Sequence, residues 1–573
     1  MEALGTRLDA SRRHLVRARS ALAAGAARVE TWPLAAVLAG FVVVEWLAVL
    51  ALALTVRHNG WIYYQGGDQL WHYTLAWLLA HGTLGYALVG YVWPALLSPI
   101  ALAAGPNLVS ALPAVVLLNV LVLLPVAMCA LYGVAARIGG RLFGYWTLLV
   151  WVTLPFLGIL YTNQGYHERY TEATLPQSFG LTALSDFPSM VAAVVSVYFC
   201  ARIVLTASPT VVDALAAGAA GGFAIGVKPA TTFFLVGPAL AFLARRYLRY
   251  AAFYVAGLVP FVITLAVWKD RSFGYLPVIG HSAAHPVPGL ASGAPLLGLG
   301  LGKYFQLNWG QLAFNIDQLR EHFWSGHFVI WLFLAGLVAL LRMSPRGFLL
   351  VGGAVLPFAI AKGSYVGSSI EDTSFFRLLM PCFPWFVLAL AALPFLVPRS
   401  TERLPAYPEP RRLLRGRLPA ASVAVVVALT TLGPLVAFAA AGTSLRGKVA
   451  AKAPGATMII PVGVDLGTTA VARDGRVTLT WNAQRPAAGK VFYRVWRVQK
   501  GPGLDLACST ALSRSPLCSL DSGDLGATAA TSFTDRPGRG TWVYRVAVAA
   551  NWLDDPQFGD PYLAGKPVVV RVR

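Results

Sequence analysis

Long apolar blocks alternate with short polar segments along most of the chain. Most blocks are roughly 17 to 25 residues long, which is the length a helix needs to cross about 30 Å of hydrocarbon. We expect helices because a helix satisfies its own backbone hydrogen bonds in lipid. The pattern predicts about eleven membrane spans. They lie near residues 33–55, 108–135, 143–162, 187–206, 211–227, 230–244, 251–267, 325–341, 347–361, 378–397 and 420–441.

The pattern changes near Pro454 to alternating apolar and polar residues. Val477-Thr-Leu-Thr-Trp481 and Thr541-Trp-Val-Tyr-Arg-Val-Ala-Val548 are two such runs, and Gly, Pro and Asp separate them. Period-two runs between turn signals predict a small antiparallel sandwich. These two stretches resemble a fibronectin type III domain, which implies a binding or spacing module. A domain that only covers one face of the membrane part is an equal alternative.

The predicted fold class is therefore an all-α polytopic membrane domain followed by an all-β sandwich. A basic N-terminus is predicted over residues 1–32, the transmembrane domain over 33–443 and the β-sandwich domain over 444–573. Composition agrees with this division. Only 12% of the 573 residues are charged and 57% are hydrophobic, whereas roughly 25% of residues are charged in soluble domains. The mean hydropathy of +0.62 indicates an integral membrane protein.

Arginine residues predict the orientation, because short cytoplasmic loops retain positive charge. A cytoplasmic N-terminus places these arginines inside and the β-sandwich domain outside: Arg12, Arg13, Arg17, Arg19, Arg137, Arg141, Arg245, Arg246, Arg249, Arg342, Arg346, Arg399, Arg403, Arg411, Arg412, Arg415 and Arg417. The net charge of +21 follows from this bias and favours contact with anionic lipid headgroups. Nucleic acid binding is a poor explanation, because the basic residues do not form one patch. Richness in Ala, Gly and Arg is typical of a bacterial high-GC source, so the predicted location is a bacterial plasma membrane.

The cysteines divide into two groups. Cys129, Cys200 and Cys382 lie inside predicted spans, where a buried thiol behaves as a small apolar side chain. Cys508 and Cys518 lie in the predicted external domain. An oxidising compartment would allow these two to pair, so a disulfide is predicted there.

The first predicted external loop is rich in polar residues. A helix beginning at Asp68 would place Leu70, Tyr73, Trp77 and Leu78 on one face, which is typical of an amphipathic helix at the membrane interface. Asp68 would then act as a helix cap or face the groove beneath. His72 follows one turn later on the same side.

A second acidic residue, Asp186, opens the fourth predicted span at the same membrane face as Asp68. Either Ser185 or Asp186 could cap that helix. Two carboxylates from separate loops at one face nevertheless indicate a functional site.

The loops carry motifs of a known family. Gly-Gly-Asp68-Gln…Tyr73…Ala76…Gly82 follows the first span, Tyr91-Val-Trp-Pro94…Pro99 comes next, and an Asp heads the fourth span. In order and placement these motifs resemble the membrane glycosyltransferases of the C superfamily, in particular the protein mannosyltransferase and aminoarabinose transferase branch. The resemblance covers about residues 30 to 400. It implies transfer of a sugar from a polyprenyl-phosphate carrier to an acceptor on the outer side of the membrane.

One departure from the family concerns the residue after Asp68. Many relatives have an acidic pair in this loop, whereas Gln69 follows Asp68 here. Metal dependence and acceptor type therefore do not transfer from the resemblance. A divalent metal and an acceptor that is a cell-wall glycan, a lipid or a protein all remain open.

The chemistry implied by the resemblance assigns roles to the loop residues. A base must deprotonate the acceptor hydroxyl, and Asp68 is the candidate, with Asp186 orienting the acceptor or assisting. The leaving phosphate needs positive charge. Its candidate ligands are Lys228, Arg377 and Arg169, with Lys303 and Lys362 as further cations on this face. The alternative for each cation is snorkelling to lipid headgroups.

Other polar residues are secondary candidates. His72, Glu168, Glu371 and Asp372 could contact the acceptor or be solvated. A structural zinc site is not supported, because no HExxH or Cys-Cys-His spacing occurs.

Two other functional classes stay open for the whole protein. One is a transporter or flippase of lipid-linked sugars, which would need charges near the bilayer midplane. The other is a non-catalytic envelope assembly protein.

Overall fold

A computed structural model defines the fold. It describes residues 25, 28–55, 68–84, 89–273, 307–322, 326–365, 368–370, 374–397, 420–441, 450–452, 459–461, 464–485, 490–500, 524–551 and 561–573. Cys508, Cys518, Glu371 and Asp372 lie outside these residues, so the predicted disulfide and the roles of the two acids stay predictions. Cys129, Cys200 and Cys382 are free thiols.

The first part of the chain is helical. Its α-helices are α1 (Leu34–Thr55), α2 (Asp68–Ala80), α3 (Val92–Ala104), α4 (Leu108–Leu117), α5 (Leu124–Tyr161), α6 (His167–Arg169), α7 (Leu175–Ser178), α8 (Asp186–Val204), α9 (Val211–Val227), α10 (Val236–Ala244), α11 (Leu248–Phe273), α12 (Trp309–His322), α13 (Gly326–Met343), α14 (Pro345–Gly363), α15 (Ser374–Leu379), α16 (Phe383–Ala392), α17 (Ala420–Val427) and α18 (Gly433–Ala440). Turns of 3-10 or π-helix join or extend several of them, over Leu118–Leu123, Gln164–Tyr166, Tyr170–Thr174, Pro229–Leu235, Met380–Cys382, Leu393–Leu396 and Ala428–Leu432.

Seven helical segments within the described ranges are long and apolar enough to cross a membrane. They are Leu34–Thr55, Leu108–Tyr161, Asp186–Val204, Leu248–Arg271, Pro345–Gly363, Phe375–Leu396 and Ala420–Ala440. Four shorter apolar helices are Val92–Ala104, Val211–Val227, Pro229–Ala244 and Ile330–Met343. The predicted helical fold class is confirmed, and the protein is an integral membrane protein. The number of spans stays a prediction.

The longest apolar segment contains two predicted spans. Leu108–Tyr161 covers 54 residues, and its backbone leaves the helical conformation at Gly140, with φ 87° and ψ 175°. A positive φ costs glycine little because it has no Cβ. The kink at Gly140 therefore falls between Arg137 and Arg141, where the sequence predicts a loop.

The C-terminal part is an all-β domain, as predicted. Its strands are β1 (Ala450–Lys452), β2 (Ile459–Pro461), β3 (Thr469–Arg473), β4 (Arg476–Thr480), β5 (Lys490–Gln499), β6 (Asp524–Thr528), β7 (Ser532–Asp535), β8 (Gly540–Asn551), β9 (Pro561–Ala564) and β10 (Val568–Val572). One antiparallel sheet has the order β10-β8-β5-β6, with β9 also on β8, and a second has the order β3-β4-β7. Strands β1 and β2 form a separate pair.

A common apolar core joins the two larger sheets. Leu479 of one sheet and Val495 and Val546 of the other are fully buried. The carboxylate of Asp535 on β7 also accepts hydrogen bonds from Arg497 on β5 and Tyr544 on β8, each at 2.7 Å. Packing and this shared acceptor together make the two sheets a sandwich.

Candidate active site

Asp68 and Arg377 form a partly exposed ion pair. Asp68 is the first residue of α2, and Arg377 lies on α15. The Asp68 Oδ2 and Arg377 Nη2 atoms are 2.7 Å apart, and the two side chains are 46% and 26% exposed. Water therefore reaches the Asp68 carboxylate while a guanidinium holds it in place.

A second ion pair, between Asp186 and Lys228, is more deeply buried. Asp186 begins α8, and Lys228 lies between α9 and the 3-10 turn Pro229–Leu235, where the sequence separates the predicted spans 211–227 and 230–244. The two side chains are only 4% and 16% exposed. Ser185 makes no side-chain cap to α8, and the Asp186 carboxylate accepts a hydrogen bond from the Lys228 ammonium instead.

His72 lies near both ion pairs. It is 2% exposed, and the charges of Asp68, Asp186, Lys228 and Arg377 all act on its imidazole. Burial lowers the pKa of His72 to about 4, although the two carboxylates oppose this shift. The imidazole is therefore neutral at neutral pH. The structure brings the two acids, two cations and one histidine into a single cluster, which we call the charged cluster.

Helix α2 differs from the predicted interfacial helix. Its apolar residues Leu70, Tyr73 and Leu78 are buried as expected, but Gln69 and His72 are buried as well. The helix is enclosed on several sides because α3 packs against it and the loop before α8 bonds to its first turn. The polar side chains of α2 consequently line the interior of the protein.

The loop that leads into Asp186 is held by side chains from three other segments. Gln69 Oε1 accepts a hydrogen bond from the Ala183 amide at 2.7 Å, and Trp93 Nε1 donates to the Ala183 carbonyl at 2.9 Å. Asn119 Nδ2 donates to the carbonyls of residues 180 and 182, at 3.0 and 2.9 Å. These contacts fix the backbone just before the buried acid.

Sequence reasoning missed Gln69, Trp93 and Asn119 as positioning residues. Asn119 lies in the π-helical turn Leu118–Leu123 and is fully buried. A polar residue inside an apolar span is a signal for function, and a π-helical turn often occurs at functional sites. The first of these signals is visible in the sequence.

A close backbone contact sets the position of Lys228. A Cβ atom on Gly90 would lie 2.1 Å from the Gly226 carbonyl oxygen and 2.5 Å from that of Val227. Only glycine allows these two backbone segments to approach this closely. The start of α3 therefore packs directly on the end of α9, beside the lysine.

Lys362 adds a third cation near the charged cluster. It lies near the end of α14, its ammonium is 5.0 Å from the centre of the Tyr365 ring, and it interacts electrostatically with Lys228 and Asp186. The sequence predicts Lys362 as a further cation on the same membrane face as Asp68 and Asp186. Positive charge thus comes from three separate helical segments.

Other predicted residues lie away from the charged cluster or outside the described residues. Glu168 is exposed on the short helix α6, and none of the described contacts joins it to the charged cluster. The side chain of Arg169 is outside the described part of the chain. The proposed contact of Arg169 with phosphate therefore stays a prediction.

The side chains of the charged cluster do not fit a divalent metal well. Asp68 and Asp186 each bind a cation of the protein, and Gln69 Oε1 accepts a backbone amide hydrogen bond. Within the described residues, no group of three His, Cys, Asp or Glu side chains is placed to hold a metal ion. We derive no catalytic step through a metal.

The fold and the charged cluster define a polytopic membrane protein with a charged site at the ends of its helices. Among solved structures, the chain is similar to ArnT from Cupriavidus metallidurans bound to undecaprenyl phosphate, with 15% identity, a TM-score of 0.34, and 70% of this chain and 74% of that chain covered. It is also similar to the oligosaccharyltransferase AglB from Archaeoglobus fulgidus in complex with an inhibitory peptide and a dolichol-phosphate, with 13% identity, a TM-score of 0.36, and 71% and 56% covered. No family model and no curated protein matches the sequence.

Both TM-scores are below 0.5, so the likeness is distant.

Proposed function

We propose that the protein is a membrane glycosyltransferase that moves a sugar from a polyprenyl-phosphate donor to an acceptor on the extracytoplasmic face. The observation that carries this proposal is the charged cluster, in which two carboxylates from separate loops meet two cations beside a buried histidine. A phosphate leaving group needs fixed positive charge, and an attacking hydroxyl needs a base. The charged cluster supplies both.

Asp68 is the better candidate for the base. Its carboxylate is 46% exposed, so an acceptor hydroxyl can approach it, whereas Asp186 is almost fully enclosed. In the reaction the acceptor oxygen bonds to the anomeric carbon, and the bond from that carbon to the phosphate oxygen breaks. The electron pair stays on the phosphate, and the acceptor proton moves to Asp68. Asp186 assists by holding the Lys228 ammonium in place.

Lys228 and Arg377 bind the donor phosphate in this proposal. Breaking the bond raises the negative charge on the phosphate, so the cations stabilise the transition state more than the bound donor. An apolar groove of about 300 Å³ lies between α3 and the last helices, and Leu96, Leu429 and Pro434 are among its lining residues. Val92 also lines this groove, and it contacts Gly226 near Lys228. The polyprenyl tail would lie against these helices.

The proposed orientation places the N-terminus in the cytoplasm and the β-sandwich domain outside a bacterial plasma membrane. Helix α2 lies against strand β2, so this domain and the charged cluster belong to the same side of the protein. The cell-wall glycan, lipid or protein acceptor would approach from that side. Cys508 and Cys518 would then face an oxidising compartment.

A flippase of lipid-linked sugars is the second candidate, because one acidic residue lies far from the membrane faces. Glu45 is in the middle of α1, is 1% exposed, and accepts a hydrogen bond from Trp151 Nε1 at 3.1 Å. Buried ionisable residues within a membrane often mark transport pathways. The variant Glu45→Gln would distinguish a flippase from a glycosyltransferase, since it should stop lipid transport and leave sugar transfer intact.

Labelled polyprenyl-phosphate sugars supplied to the purified full-length protein in liposomes test the proposal. We expect free polyprenyl phosphate to be released only when an envelope extract supplies the acceptor. Movement of intact donor between leaflets, without release of lipid phosphate, would establish the flippase instead. Absence of both activities across a panel of donor sugars would contradict both functions.

A further inference from the structure

The imidazole of His72 is the least explained polar group in the charged cluster. It is 2% exposed, and its Nδ1 atom has no hydrogen-bond partner in the described part of the chain. Buried polar atoms nearly always have a partner, so an exception needs an explanation. His72 lies one turn after Asp68 on α2, which places it beside the proposed base.

Every charged group that acts on His72 belongs to the proposed reaction. The groups are Asp68 on α2, Asp186 on α8, Lys228 at the end of α9 and Arg377 on α15. Burial lowers the pKa of His72 to about 4, so the imidazole adds no charge at neutral pH. A neutral imidazole has one N–H donor and one acceptor nitrogen. It can therefore bind a ligand without changing the charge balance.

We propose that His72 donates a hydrogen bond from Nδ1 to the phosphate of the lipid-linked donor, alongside Lys228 and Arg377. This inference rests on the proposed function and assigns a neutral phosphate ligand to the same site. A phosphate bound between Lys228 and Arg377 would be near His72, because the charges of both cations act on the buried imidazole. A positively charged side chain in place of the neutral His72 would hold Asp68 in its ionised form and weaken it as a base. A neutral donor avoids that effect.

The matched variants are His72→Asn, His72→Gln and His72→Leu. The Asn amide nitrogen lies near the position of Nδ1, the Gln amide lies nearer to that of Nε2, and Leu fills similar space without a donor. The probe is undecaprenyl phosphate, which represents the lipid product without a sugar, and its affinity for the purified full-length protein is measured in detergent. A hydrogen bond to a charged group corresponds to roughly 10-fold or more in affinity.

We expect His72→Asn to bind within about 3-fold of the unmodified protein, and His72→Leu and His72→Gln to bind roughly 10-fold more weakly. The contrast between Asn and Gln separates a hydrogen bond at Nδ1 from a general effect on folding, because both are amides. His81→Leu is the control, since His81 follows the same helix and is exposed; it should bind normally.

Equal binding by all His72 variants, or equal loss in Asn and Leu, would overturn the inference. If the protein transfers sugar and binds the probe while His72→Leu binds normally, only the role of His72 fails. If the unmodified protein neither binds the probe nor transfers sugar, the proposed function fails as well.

Discussion

The carboxylate of Asp68 and the guanidinium of Arg377 bind each other directly, with 2.7 Å between Oδ2 and Nη2. The proposed base and a proposed phosphate ligand thus neutralise each other before the donor arrives. A phosphate that binds Arg377 would compete with Asp68 for the same N–H groups. Donor binding would then release the carboxylate to accept a proton.

Asp68→Asn should separate catalysis from phosphate binding. We expect the transfer rate to fall by about 10²- to 10⁴-fold, because the amide cannot act as a base. The affinity for undecaprenyl phosphate should rise, because Arg377 loses a competing anion. Initial rates with labelled donor and binding of the lipid phosphate measure the two effects. Asp317→Asn, which changes an exposed acid paired with Arg320, is the control. Weaker binding by Asp68→Asn would contradict the competition.

Lys228→Met should strongly destabilise the protein, because it leaves the Asp186 carboxylate buried without its cation. Breaking a buried pair costs about 3–5 kcal/mol. The double variant Asp186→Asn with Lys228→Met should recover much of this loss, since no unpaired charge remains. Thermal unfolding in detergent measures the cycle. The double variant should stay inactive; recovery of sugar transfer would exclude both residues from the reaction.

Asn119→Ala should lower both stability and turnover. It removes two of the four hydrogen bonds that hold the loop before Asp186, and leaving buried carbonyls without a donor costs about 1–3 kcal/mol. Unfolding temperature and kcat are the measurements. Leu121→Ala changes a half-exposed residue of the same π-helical turn and should have little effect. Similar losses in both variants would indicate a general perturbation of the helix.

Gly90→Ala should displace Lys228 from its position. The added methyl group would lie 2.1 Å from the Gly226 carbonyl oxygen, so the end of α9 must move. We expect weaker binding of lipid phosphate and a lower unfolding temperature. Gly40→Ala is the control, because a Cβ there meets nothing within 4 Å. Normal binding by Gly90→Ala would show that this contact does not position the lysine.

The pH dependence of stability should report the buried His72. Its pKa falls from 6.5 to about 4 on folding, so between these values the unfolded chain binds a proton that the folded protein does not. The free energy of unfolding is therefore unaffected by this titration above about pH 6.5. As the pH drops toward 4, it falls by up to about 3 kcal/mol. Unfolding temperature measured from pH 7 to 4.5 should fall less steeply for His72→Asn than for the unmodified protein. His81→Asn should follow the unmodified protein.

The length of the apolar blocks predicts the helical part of the fold well, and the alternation of apolar and polar residues predicts the β-sandwich. Helix α2 begins at Asp68 as expected, and strands β4 and β8 coincide with the alternating runs at residues 477–481 and 541–548. These features depend on local periodicity, which a single sequence displays directly. Helix α3 is absent from the predicted spans, because it has only 13 residues and contains Pro94 and Pro99.

The position of the two acids could be predicted, but their surroundings could not. Asp68 and Asp186 stand out because they are carboxylates at the ends of apolar segments. The burial of Gln69 and the role of Asn119 depend on a loop, residues 179–185, that is distant from both in the chain. The pairing of Asp68 with Arg377 likewise depends on tertiary packing, which periodicity does not encode.

The distribution of the charged cluster along the chain has a consequence for biosynthesis. Its members come from both the beginning and the end of the helical domain, with Asp68 on α2 and Arg377 on α15. A nascent chain released before Arg377 emerges from the ribosome would carry the acids and Lys228 without their last cation. Premature products inserted in the membrane would therefore be inert toward the cell's supply of lipid-linked sugar.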